Sequence, residues 1–142
     1  MIFLIATDTC FWIWCPISDI TNYKKIYDIK KRDFKKPLSI MVDSFDWLQK
    51  NTTLNNNQID FLKNYQKPFT IITNCRKIEM YLEYVWEYEN FPNYEEYKKI
   101  AFRVANIEEQ KKLIWEYWPV FLTSANYSWQ PEIYDIETLK NI

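Results

Sequence analysis

The chain has 142 residues and contains no glycine and no histidine. Average usage would supply about ten glycines at this length. Their absence removes the residue that normally provides positive-φ turns and lets backbone approach a phosphate closely. Without histidine, a zinc site would have to rely on thiolates and carboxylates. The three cysteines, Cys10, Cys15 and Cys75, are an odd number without paired spacing. They read as buried structural thiols in a reducing compartment, which places the chain in the cytoplasm. A formal net charge of −1 excludes bulk attraction to nucleic acid or to a membrane. No apolar run approaches membrane-spanning length. The opening "MIFLIATDTC" has no basic lead-in and is interrupted by Asp8, so it reads as a buried first strand and not as a signal peptide.

What is present is aromatic. Seven tryptophans, eleven tyrosines and nine phenylalanines accompany 48% hydrophobic and 26% charged residues, a balance suited to one globular domain with a core of its own. The charge is unevenly spread. Residues 24–36, "KKIYDIKKRDFKK", hold seven of the eighteen basic residues against two acids, whereas 79–97 is acidic. A basic strip on a near-neutral protein points to a compact anionic ligand.

Apolar runs at 2–6, 37–42, 68–73, 100–104 and 119–123 predict strands. Helical spacing predicts helices from "SDITNYKKIYDIKKR", "SFDWLQKN", "NNQIDFLKNY", "KIEMYLEYVWEYE", "NIEEQKKLIWEY" and the tail "YDIETLKNI". Ser18 or Asp19, Ser44, the run Asn55–Asn57 and Asn106 offer caps, and Glu109 follows Asn106 at capping-box spacing. Strands alternating with helices predict an α/β domain with a largely covered sheet. No linker or internal repeat divides it.

Three polar clusters follow strands or end a helix. "TDT" (7–9) offers hydroxyls and a carboxylate, "KKRDFKKP" (30–37) offers Lys30, Arg32 and Lys36, and "TSAN" (123–126) offers hydroxyl and amide groups. Such groups meet the needs of a triphosphate, which are charge neutralisation and short hydrogen bonds. Each has a plainer explanation: a solvated helix end, a capping cluster, a turn.

Taken together and in order, "ATDTCFWIWCP", "IYDIKKRDFKKPLSIMV", "KPFTIIT", "FRV" and "WPVFLTSANYSWQP" resemble the YrdC-like threonylcarbamoyladenylate synthase family. That family's pattern includes P-T-(D/E)-T-x-(Y/F)-G-(L/V/I)-G, K-x-R-x-x-x-K-P-L and T-S-A-N-x-S-G. The resemblance implies a single-domain YrdC-like twisted mixed sheet flanked by helices over residues 1–142, shortened at the C-terminus relative to the family. Gln66 and Lys67 replace the family's Pro-Gly, and Ala6 replaces a usual Pro. The family's glycines fall at Trp12, Trp14, Trp118 and Trp129. Drift would scatter substitutions over Ala, Ser and Asn, so we read the four tryptophans as UGA codons that mean glycine in the source. The alternative is a glycine-free paralogue. Made as written, Trp at these positions would be expected to strain the backbone and fill ligand space.

The resemblance implies that L-threonine, bicarbonate and ATP, with Mg²⁺, yield threonylcarbamoyl-AMP and pyrophosphate. That product feeds tRNA modification beside the anticodon, through a transfer complex and tRNA that the chain would meet only indirectly. By the same resemblance Lys30, Arg32 and Lys36 would act on the phosphates and the threonine carboxylate. Thr7, Thr9, Phe11 and Arg103 would form the threonine pocket, and Thr123, Ser124 and Asn126 would hold the nucleotide. A catalytically weak nucleotide- or RNA-binding module is the alternative. The related domain of hydrogenase-maturation carbamoyltransferases comes with zinc-finger cysteine pairs, which this sequence does not contain.

Overall fold

The computed structural model of the chain describes residues 1–7, 9–75, 99–117 and 120–141. The helix expected at 77–89 lies outside the described residues, as do Asp8, Trp86 and Trp118. Among the described residues, six strands form one mixed sheet: β1 (Phe3–Ala6), β2 (Phe11–Pro16), β3 (Ser39–Val42), β4 (Ile71–Asn74), β5 (Lys99–Val104) and β6 (Val120–Ser124). Their order is β1-β2-β6-β3-β5-β4. Only β3 and β5 pair in parallel; the other neighbours are antiparallel.

Two expectations are corrected here. Residues 11–16, which none of the expected strands includes, form β2, pairing β1 on one side and β6 on the other. Phe-Trp-Ile-Trp is a run of aromatic and β-branched side chains, which favours a pleated, half-buried surface over a loop. β1 is also no buried strand: it lies at the sheet edge, burial alternates along it, and Leu4 is exposed.

α1 (Ile20–Lys30) turns Tyr23, Ile26, Tyr27 and Lys30 inward on the spacing that the sequence shows. Asp19 caps it, its Oδ1 accepting the Asn22 N–H at 3.1 Å. It ends at Lys31, whose φ of 49° is the only positive value among the described residues. Glycine usually fills that left-handed position, and a side chain there costs about 1 kcal/mol. The Arg32 N–H returns to the Tyr27 carbonyl at 3.0 Å and closes the turn.

α2 (Phe45–Asn51) is capped by Ser44, and α3 (Asn56–Asn64) by a full capping box between Asn55 and Gln58. α4 (Glu108–Tyr117) begins after Asn106, whose backbone N–H donates to Gln110 Oε1 at 3.2 Å, one position beyond the expected Glu109. α5 (Ile136–Lys140) is a single short helix capped by Asp135.

The helices divide the core in two. Tyr23, Ile26, Tyr27, Leu48, Ile59, Phe102 and Phe121 belong to the larger cluster, which holds α1, α2 and α3 on the sheet. Trp14, Met41, Ile114, Val120 and Leu122 form a smaller one with α4 on the opposite face. Phe102 and Arg103 are neighbours in β5, so they point to opposite faces. Among the described residues no helix is long and apolar enough to cross a membrane.

Candidate functional site

The end of α1 and the end of β6 meet through one side chain. The Lys30 ammonium donates to the Ser124 carbonyl at 2.5 Å, the Asn126 carbonyl at 2.9 Å and Asn126 Oδ1 at 3.0 Å. Ser124 Oγ donates to the same Oδ1 at 2.6 Å, and Asn126 Nδ2 donates to the Gln130 carbonyl at 2.6 Å. Lys30 is only 3% exposed. Burial pushes its pKa down to about 8, Arg32 adds to that effect, and Cys10 and Glu132 oppose it. Thr123 is buried and pairs with Ile13 in the sheet. It is two residues from Phe121, so it faces the larger core, whereas Ser124 faces the other side.

A second group gathers around Arg103. Thr7 Oγ1 lies 3.1 Å from Thr9 Oγ1, and it donates to the Cys10 carbonyl at 2.8 Å. The Trp12 indole N–H donates to Thr9 Oγ1 at 3.3 Å. Its ring lies under Arg103, whose guanidinium carbon is 4.8 Å from the ring centroid. Arg103 Nη1 donates to Thr70 Oγ1 at 3.3 Å. Thr7, Thr9 and Arg103 are thus brought together through Trp12. Phe11 is not: its ring packs against the larger core, while its backbone links Ala125 to Ile133.

Arg32 and Lys36 form a third group. Arg32 Nε and Nη2 donate to the carbonyls of Lys36 and Pro37 at 3.2 and 3.0 Å, and the Tyr27 hydroxyl donates to the Lys36 carbonyl at 2.6 Å. This fixes the backbone of the 32–37 turn and leaves the Lys36 side chain exposed.

Tyr27, Thr70, Gln130 and Trp12 were not marked as site residues by sequence reasoning. All four stand within the quoted motifs, which is the signal that could have found them. Tyr127 and Trp129 add a surface feature: their rings stack at 5.5 Å and 7°, with Lys31 Nζ 5.7 and 5.5 Å from their centroids.

The strain expected of tryptophan at the glycine positions is not found at 12, 14 or 129, since none of them has a positive φ. Space is the real cost. Trp12 fills the region between Thr9 and Arg103, and Trp14 is buried with its indole N–H unpartnered among the described residues. Among the described residues no group of three or more His, Cys, Asp or Glu side chains could hold a metal ion.

The profile of the Sua5/YciO/YrdC family, described as "Telomere recombination", matches residues 1–142. No curated protein matches the sequence. Among solved structures, P. abyssi Sua5 complexed with L-threonine is similar with a TM-score of 0.72 at 22% identity, over 99% of this chain and 39% of that one. E. coli YciO gives 0.73 at 20%, over 99% and 65%. Full-length HypF in its phosphate- and nucleotide-bound form gives 0.74 at 17%, over 99% and 21%. The chain therefore spans less than two thirds of each of these proteins. At these identities the likeness shows a shared fold.

Proposed function

Because the chain belongs to the Sua5/YciO/YrdC family, we propose that it is an L-threonylcarbamoyladenylate synthase acting in tRNA modification. The observation that carries this reading is the meeting of the T-S-A-N segment with the K-x-R segment, joined by Lys30 across 94 positions of sequence. L-threonine bound to P. abyssi Sua5 and nucleotide bound to HypF support the substrate classes.

In the proposed reaction N-carboxythreonine, formed from threonine and bicarbonate with loss of water, attacks the α-phosphorus of ATP through an oxygen of its N-carboxylate group. A new P–O bond forms, the bond to the β-phosphate oxygen breaks, and pyrophosphate leaves with the electron pair. No protein nucleophile is needed, so the absence of histidine is no obstacle. The protein's work is positioning and charge stabilisation. Arg32 and Lys36 supply cations for the phosphates, Ser124 and Asn126 hold the nucleotide, with Thr123 beside them. Thr7, Thr9 and Arg103 hold threonine, and Phe11 shapes the pocket from behind through the backbone of β2. Mg²⁺ would come with the triphosphate, whose oxygens would bind it.

The test is the product. Incubation with ATP, L-threonine and isotope-labelled bicarbonate should give labelled threonylcarbamoyl-AMP by mass spectrometry. ATP breakdown that ignores threonine would overturn the reading. The second reading, a nucleotide- or RNA-binding module, is favoured by the stacked Tyr127 and Trp129 beside Lys31, because aromatic platforms with a cation suit unpaired bases. It predicts RNA affinity without turnover.

A further inference from the structure

An ammonium has three N–H donors, and at Lys30 three acceptors surround it: Ser124 O, Asn126 O and Asn126 Oδ1. The backbone of the same residue grips the loop again, because the Lys30 carbonyl accepts the Ser128 N–H at 3.0 Å and the Ser128 hydroxyl at 3.2 Å. One residue therefore holds the 124–128 segment from both of its ends, and its side chain is buried in doing so. Lys36, six residues on, is exposed.

We propose that Lys30 is a positioning residue that clamps the Ser124–Asn126 loop in its ligand-ready form and does not itself contact phosphate, a task left to Arg32 and Lys36. This rests on the reading of that loop as the nucleotide site. The clamp is tied to charge. A neutral amine keeps two donors for three acceptors, so deprotonation releases one contact to the loop. Among the described residues, the charged or titratable groups that face Lys30 are Arg32 beyond the end of α1, Cys10 between β1 and β2, and Glu132 after β6.

Burial, aided by Arg32, lowers the Lys30 pKa to about 8 against an ordinary 10.5. Between those two values the unfolded chain binds more protons than the folded one, so this group makes folding more favourable as pH rises. The clamp weakens over the same interval. Nucleotide affinity and fold stability thus move in opposite directions above about pH 8, which a merely structural lysine would not cause.

The experiment compares wild type, Lys30→Met, Lys30→Arg and Lys36→Met by amide hydrogen exchange without ligand and by titration with ATP. Lys30→Met should speed exchange of the Ala125, Asn126 and Ser128 amides by about tenfold or more, the effect of losing charge-assisted hydrogen bonds. Lys36→Met should leave those amides unchanged and weaken ATP binding. Wild-type ATP affinity should fall from pH 8 to 9.5 without loss of thermal stability, and Lys30→Arg should flatten that fall. The pH arm needs no substitution, so it decides even if Lys30→Met does not fold. Unchanged loop exchange in a folded Lys30→Met, or a wild-type affinity flat across pH 8 to 9.5, overturns the proposal. Faster exchange with no ATP binding by any version supports the clamp and overturns the nucleotide reading instead.

Discussion

On one face of the sheet Trp47 lies against Phe102, ring centroids 5.7 Å apart, beside a core that α1, α2 and α3 close. On the other, Trp14 stacks on Phe3 at 4.1 Å and touches Tyr117, yet its indole N–H and the Gln110 side-chain amide N–H are buried without partners among the described residues. Both indoles gain apolar contact. Only the second also carries a desolvated donor, which costs about 1–3 kcal/mol. Burial alone, then, does not show that a fold was built around a residue. Two of the tryptophans at family glycine positions, Trp12 and Trp14, pack on the α4 face. Trp47, which no motif assigns to glycine, packs against the other.

Phe102→Ala should do the most damage, about 3–5 kcal/mol by chemical denaturation, because it empties the centre of the larger core. A cost below about 1 kcal/mol would abolish the distinction between the two faces. Trp47→Ala should cost about 2–3 kcal/mol, less than a fully buried ring because Trp47 is half-buried. Trp14→Phe, by contrast, keeps a stacking ring and removes the orphan donor, so it should fall within about 1 kcal/mol of wild type or be more stable. A loss above about 2 kcal/mol would show that the α4 face needs its indole. Lys31→Gly should stabilise by up to about 1 kcal/mol by relieving the left-handed end of α1. The smallest effect is chemical: burial pushes the Cys15 thiol up to about 12, so it should resist alkylation at pH 8 until the chain unfolds. Labelling of the folded protein at Cys15, read by peptide mapping, would contradict a closed α1 face.

Helix ends were legible because their chemistry is local. Asp19, Ser44 and Asn55 each accept a backbone N–H three residues on, as the sequence leads one to expect, and Asp135, not marked as a cap in the sequence, does the same. β2 was not legible as a strand, since a motif that elsewhere ends in glycines hides the strand pattern of "CFWIWCP", and although β1 precedes it directly, its other partner β6 lies near the far end of the chain. The candidate site was legible as a set of residues and not as a set of roles. Sequence gives Lys30 a charge but not its direction, and the direction is inward, onto carbonyls of a loop 94 positions away. Phe11 shows the same gap: its place in the motif points to the pocket, and its ring turns to the core.

The central proposal is that this chain joins threonine, bicarbonate and ATP, with threonine at the group around Arg103 and nucleotide at the T-S-A-N segment that Lys30 holds. It is tested most directly by pyrophosphate release, measured on the chain as written and on a version with Trp12, Trp14, Trp118 and Trp129 changed to Gly. The account predicts release that requires both threonine and bicarbonate, and that is greater in the glycine version, where Trp12 no longer fills the space beside Arg103. Silence from both versions, folded and binding ATP, would contradict it and leave a binding module.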